Sequence, residues 1–159
     1  MLRTAIALDK HAICTIMEMT YAVVLSNQRS AEETNLVRPY MVHAHGGPGE
    51  NPLEIQAFAD TYCKNARPMI RIIAQGRNRH VAWVKYESQS KVVSAVLNYS
   101  SDSGKWSERK WQSIPCLTSD GGKVTVTLPD AAKFYYINLT DERGLLVSSE
   151  YDEIPLGCR

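Results

Sequence analysis

From Met69 to Tyr151 the sequence is cut into short runs that alternate apolar and polar residues, each closed by a turn signal. No other feature constrains the fold as much. Successive side chains of a strand point to opposite faces, and short strands with frequent turns must pair with their neighbours in antiparallel sheets. Met69–Ala74 is an apolar run, and Gln75-Gly76-Arg77-Asn78 reads as a turn. His80–Glu87 alternates and carries Trp83, and Lys91–Tyr99 alternates with Val93, Ala95, Leu97 and Tyr99 on one face. Ser101-Asp102-Ser103-Gly104 reads as a hairpin loop, followed by a strand over Lys105–Ile114 with Trp106 and Trp111. After the turn at Asp120-Gly121-Gly122, Lys123–Leu128 puts Val124, Val126 and Leu128 on one face. Lys133–Leu139 and Leu145–Tyr151 then flank a turn at Asp141-Glu142-Arg143-Gly144.

These signals predict two packed antiparallel sheets over residues 67–159, an immunoglobulin-like β-sandwich in architecture, although the Cys…Trp…Cys spacing of antibody domains is absent. Val93, Leu97, Val124, Val126, Phe134 or Tyr135, and Val147 are its expected core. Residues 1–66 have a different texture, with Met, Ala, Leu and acidic residues at helical spacing. Asp9–Leu25 reads as a helix with Ile13, Ile16, Met17 and Val24 on one face, its tail Tyr21–Leu25 reading equally as a strand, and Leu36–Val42 reads as a short strand. The clearest helix begins after Asn51. Asn51 suits the N-cap, Pro52 the first helical position and Glu54 a capping box, and Ile55, Phe58, Ala59 and Tyr62 form the expected apolar face up to about Asn65. The predicted class is α+β: a short α/β lead-in (1–66) followed by the sandwich (67–159).

Composition narrows the function classes. The 159 residues hold 18 Lys plus Arg against 17 Asp plus Glu, a formal charge of +1, which leaves no electrostatic footprint for nucleic acid. The apolar run Ala12–Leu25 contains Glu18 and falls short of the roughly 20 residues a bilayer requires, so no membrane partner is expected. Cys14, Cys63, Cys116 and Cys158 are far apart, without the spacing of a zinc site, and read as reduced, mostly buried thiols. Neither a cofactor nor a metal is expected. Asn98-Tyr99-Ser100 and Asn138-Leu139-Thr140 are glycosylation triplets in predicted strand ends.

The candidate chemistry lies in the loop His43-Ala44-His45-Gly46-Gly47-Pro48-Gly49-Glu50, between the predicted strand and the predicted helix. A histidine just past a strand end in a glycine-rich loop can be aimed and can exchange protons, which a general base near neutral pH requires. The stretch from Met41 through His43, His45, Pro52, Glu54, Ile55, Phe58 and Ala59 to Asp60 resembles the C-terminal end of an α/β-hydrolase domain, of the acetyl xylan esterase and dienelactone-hydrolase-like bacterial branch. There a histidine loop precedes a helix reading roughly P-x-E-I-x-x-F-A-D, and a β-sandwich tail follows. The runs Tyr99…Asp102-Ser103-Gly104-Lys105-Trp106…Arg109-Lys110-Trp111 and Asn138-Leu139-Thr140-Asp141…Arg143-Gly144…Ser148-Ser149-Glu150 carry the resemblance through that tail. It implies a carboxylic-ester hydrolase ancestry, with His43 or His45 as the triad histidine.

The G-x-S-x-G nucleophile elbow of that family is missing. A histidine without a nucleophile in reach cannot run acyl transfer. The expectation is therefore a C-terminal hydrolase fragment or truncated reading frame, inactive alone, that self-associates or pairs with a missing hydrolase core. Other readings of the loop are a solvated pair of histidines, or an H-x-H…Glu50 metal site, whose flanking sequence fits poorly. The alternative for the whole chain is a non-catalytic β-sandwich binding or docking module, with carbohydrate as a candidate ligand. Trp83, Tyr86, Tyr99, Trp106, Trp111, Tyr135, Tyr136 and Tyr151 would supply stacking rings, although alternate aromatics are also what a sandwich core uses.

Overall fold

The structure, a computed structural model, describes residues 36–37, 52–105, 108–119 and 121–155. They form one helix, α1 (Leu53–Cys63), and nine strands: β1 (Arg71–Asn78), β2 (Val81–Glu87), β3 (Val92–Ser100), β4 (Gln112–Pro115), β5 (Leu117–Ser119), β6 (Lys123–Thr127), β7 (Phe134–Asp141), β8 (Leu146–Ser148) and β9 (Asp152–Glu153). One sheet has the order β1-β2-β6-β5, the other β4-β3-β7-β8 with β9 also on β7, and every pairing is antiparallel. The architecture is a β-sandwich. Ala82, Val84, Val124 and Val126 of the first sheet meet Ala95, Leu97, Ile137, Leu139 and Val147 of the second in a continuous core.

The expected core holds at Leu97, Val124, Val126, Phe134, Tyr135 and Val147 and fails at Val93, which is 56% exposed. The register explains it. Val92 pairs with Asp141 and Ser94 with Thr140, so Val93 is the extra residue of a bulge, and alternation restarts at Ala95. The expected turn at Gln75–Asn78 is instead the end of β1, and the chain turns at Arg79 and His80, with Arg79 at φ 51. Gly76 belongs in the strand because Trp83 faces it. A Cβ there would lie 2.9 Å from the indole, so the glycine lets the ring cover the backbone. The strand expected over Lys105–Ile114 starts only at Gln112, and beyond it the chain crosses to the other sheet and adds a strand, β5, that was not expected. Cys116 sits between β4 and β5, its N–H bound to the Ala95 carbonyl (2.9 Å), while β5 pairs with β6 of the opposite sheet.

Helix α1 starts at Leu53, with Pro52 in the cap position and no side chain capping it; Asn51 lies outside the described residues. It ends as expected. Asn65 adopts φ 52, and the Lys64 and Ala66 N–H groups close on the Asp60 carbonyl. Its buried face is rotated from the expected one. Ala57 and Phe58 pack against the sandwich core and Glu54 is buried, while Tyr62 is 38% exposed and stacks at a tilt on Phe58. Helix α1 thus packs on the sandwich through Ala57 and Phe58. Of the predicted strand at Leu36–Val42 only Leu36 and Val37 are described, and neither lies in a strand; its remaining residues and the predicted helix at Asp9–Leu25 lie outside the described residues.

The turn into β6 tests this geometry. Gly121 and Gly122 adopt φ +91 and +73, and an added Cβ meets open space at the first and the Tyr86 carbonyl oxygen at the second. Gly121→Ala is expected to cost about 1 kcal/mol and Gly122→Ala about 2–3 kcal/mol, since only the second adds a backbone clash to the left-handed strain. Urea unfolding of both variants checks the order; equal losses would contradict the register of β2 against β6.

Candidate functional site

His43, His45, Glu50 and the Gly46–Gly49 loop lie outside the described residues. What is described is the chain on either side of them, and both sides end on β8. Upstream, the Val37 N–H donates to Ser148 Oγ (2.8 Å) and its carbonyl accepts from Asn138 Nδ2 (3.1 Å). Asn138 and Ser148 are directly opposed in β7 and β8, and the Ser148 hydroxyl donates to Asn138 Oδ1 (2.8 Å). A serine hydroxyl has one proton and two lone pairs, so the set closes as a ring: Val37 N–H to Ser148, Ser148 to Asn138, Asn138 to Val37 C=O. Two side chains replace the neighbouring strand that would otherwise satisfy this residue's backbone. The Val37 side chain packs on Trp111, Phe134 and Tyr136, and Trp111 meets Tyr136 edge-on at 5.1 Å.

Downstream, Glu54 Oε1 accepts the Leu146 N–H (2.9 Å), although the residue is only 4% exposed. The sequence motif reads Glu54 as a capping residue; the fold gives its carboxylate to β8. Residues 37 and 54, which bracket both candidate histidines, are therefore fixed two residues apart on one short strand.

A second polar cluster holds β8 in place. Asp141, 1% exposed, accepts the Arg143 and Leu145 N–H groups at Oδ1 (2.9 and 3.1 Å) and the Arg143 guanidinium at Oδ2 (2.8 and 2.6 Å). Arg143 also donates to the Arg67 and Pro68 carbonyls (2.9 Å each), on the segment between α1 and β1. Arg67 in turn pairs with Glu142 at 2.9 Å.

The remaining candidates divide clearly. Among the described residues no three His, Cys, Asp or Glu side chains gather to hold a metal ion, and no helix is long and apolar enough to cross a membrane. A cleft of about 570 Å³ between the β2–β3 and β5–β6 turns is lined by Tyr86, Ser88, Ser90, Lys91, Ser119 and Gly122 among others, with no histidine or thiol in its lining. Of the predicted stacking aromatics, Tyr99, Trp111, Tyr135 and Tyr136 are buried, Trp83 and Tyr86 half-buried, and Tyr151 exposed; Trp106 lies outside the described residues. Asn98 and Asn138, the acceptors of the two glycosylation triplets, are 3% and 7% exposed, too buried to carry a glycan in the folded chain. No protein-family model, curated protein or solved structure matches this chain.

The thiols depart from expectation: Cys63 is exposed and Cys116 half-buried, while Cys14 and Cys158 lie outside the described residues. Burial pushes the Cys116 thiol up to about 11. Its thiolate is scarce below that pH and grows as pH rises through it. Iodoacetamide at pH 8 should therefore alkylate Cys63 well before Cys116, with Cys116 catching up only near pH 11 or on denaturation, as peptide mass mapping will read. The ring around Val37 gives a second expectation. Ser148→Ala should speed hydrogen exchange of the Val37 amide at least tenfold and cost about 1–3 kcal/mol, because Asn138 Oδ1 and the Val37 N–H both lose a buried partner. Unchanged exchange at Val37 would remove the ring from consideration.

Proposed function

We propose that this chain is the C-terminal end of a carboxylic-ester hydrolase of α/β-hydrolase type, inactive by itself, whose sandwich is a docking module for the histidine loop. The ancestry rests on the resemblance over the histidine loop, α1 and the sandwich. The docking role rests on one observation: the stretch carrying His43 and His45 begins and ends at β8, through Val37 on Ser148 and Glu54 on Leu146. A triad histidine works only within hydrogen-bond reach of its nucleophile. Fixing both ends of a loop on a rigid strand reduces the conformations available to it and brings the histidine to a repeatable place. The strand order supports an immunoglobulin-like type for the sandwich: β1-β2-β6-β5 and β4-β3-β7-β8 correspond to A-B-E-D and C′-C-F-G. On this reading the nucleophile, the triad acid and the oxyanion hole come from a hydrolase core beyond this sequence.

Two measurements test the reading. The purified chain should hydrolyse p-nitrophenyl acetate no faster than buffer, and His43→Ala and His45→Ala should leave that rate unchanged; turnover abolished by either substitution would mean that the chain holds its own nucleophile. The DNA upstream of Met1 should encode G-x-S-x-G, in frame or one frameshift away. Upstream DNA without that motif would overturn the ancestry, and retention of the chain on a polysaccharide would turn the docking reading towards carbohydrate binding.

A further inference from the structure

Alternate residues of the β1-β2-β6-β5 sheet point away from the core, and the strand register lines them up in rows. Gly76, Trp83, Thr125 and Leu117 form one row, and Ala74, Lys85, Lys123 and Ser119 the next. The rows lie about 7 Å apart, two residues along a strand. Trp83 and Thr125 are half-buried, Lys85, Lys123 and Ser119 are exposed, and Leu117 is 77% exposed. This outer face is therefore open to solvent, unlike that of the sheet that carries β8.

Two features of this face do nothing for the fold. Lys85 and Lys123 stand directly opposite one another on β2 and β6, an unfavourable arrangement for like charges. Among the described residues neither makes an ion pair, and Glu87, the one carboxylate on these four strands, is held by Arg71. The second feature is Trp83. One side of its ring lies on Gly76, and among the described residues no other aromatic ring or cation packs on the indole, so the side turned away from β1 is uncommitted. An anion between the lysines relieves their repulsion, and an apolar flat face covers the indole. A uronic acid ring brings both, a C–H face and a carboxylate on one sugar. An acidic peptide brings the charge without the flat face, and a neutral glucan the face without the charge. A nucleic acid strand needs a wider basic surface than two lysines on a chain with 18 cationic and 17 acidic side chains.

We propose that the outer face of the β1-β2-β6-β5 sheet binds an acidic polysaccharide, stacking a uronate ring on Trp83 and holding carboxylates between Lys85 and Lys123. The site lies on the opposite sheet from β8, so a result of either sign leaves the contacts of Val37 and Glu54 with β8, and the ester-hydrolase ancestry, as they are. Calorimetric titration of the full chain with hexagalacturonate tests it. Binding should saturate and should weaken as salt rises. The double variant Lys85→Gln, Lys123→Gln should bind about fivefold more weakly with no fall in Tm, because it removes a like-charge pair from exposed positions. Trp83→Ala should abolish binding, and Trp83→Phe, which keeps an aromatic ring over Gly76, should hold the fold and bind more weakly than the parent chain. No heat with hexagalacturonate, full affinity in the lysine double variant, loss of binding there only together with a lower Tm, undiminished affinity in Trp83→Phe, or equal binding of cellohexaose, hexaglutamate or oligothymidylate would each overturn the site.

Discussion

The buried carboxylate of Asp141 organises the end of the molecule where everything else converges. It ties off the β7–β8 turn by accepting two backbone N–H groups, and Gly144, at φ +80, returns its own N–H to the Asp141 carbonyl at 2.9 Å. It also fixes the Arg143 guanidinium, which reaches across to the carbonyls of Arg67 and Pro68. One side chain thus sets where β8 starts and where the chain leaves α1. An ion pair of this kind contributes little relative to a well-packed apolar equivalent, but loss of one partner typically costs about 3–5 kcal/mol. Its value here is in specifying one arrangement of turn, linker and helix.

From that fixed point the second sheet gains an unusual property for a sandwich. An antiparallel sheet normally has one packed and one solvated face, yet β7 is buried along nearly its whole length. Leu139 and Ile137 face the core, while Tyr136 and Asn138 face outward and are buried too. Arg109 lies over the Phe134 ring at 3.6 Å, and Val37 covers the aromatic cluster. Polar side chains on this face act as substitutes for a further strand. That is why a face rich in asparagine and serine can be both buried and satisfied at Val37.

Much of the sandwich was legible because alternation depends on local geometry alone. Leu97, Val124, Val126 and Val147 could be placed in the core from period two. Each misreading has a physical cause that periodicity cannot carry. The bulge at Val93 inserts one residue and inverts the faces before Ala95. Gly76 looks like a turn residue and is a strand residue under Trp83, a contact with the neighbouring strand. The crossing at Cys116 and the strand β5 after it were not expected, because they are set by which partner strand is available on each side. Glu54 carries a capping motif, and its carboxylate reaches a strand 92 positions later. Asn138 and Ser148 were visible only as polar positions on an outward face; nothing local signals that such positions are covered.

The sequence by itself determined the class of the C-terminal part, the turns at Asp141–Gly144 and Gly121–Gly122, the helix before Pro68 and its end at Asn65, because these follow from side-chain alternation and from the backbone freedom of glycine and asparagine. Tertiary structure decided which face of α1 is buried, where the chain crosses between sheets, and that residues 37 and 54 meet on β8. Those outcomes depend on groups far apart in the chain, whose hydrogen bonds gain their strength only once the sheets have closed and excluded water from around them.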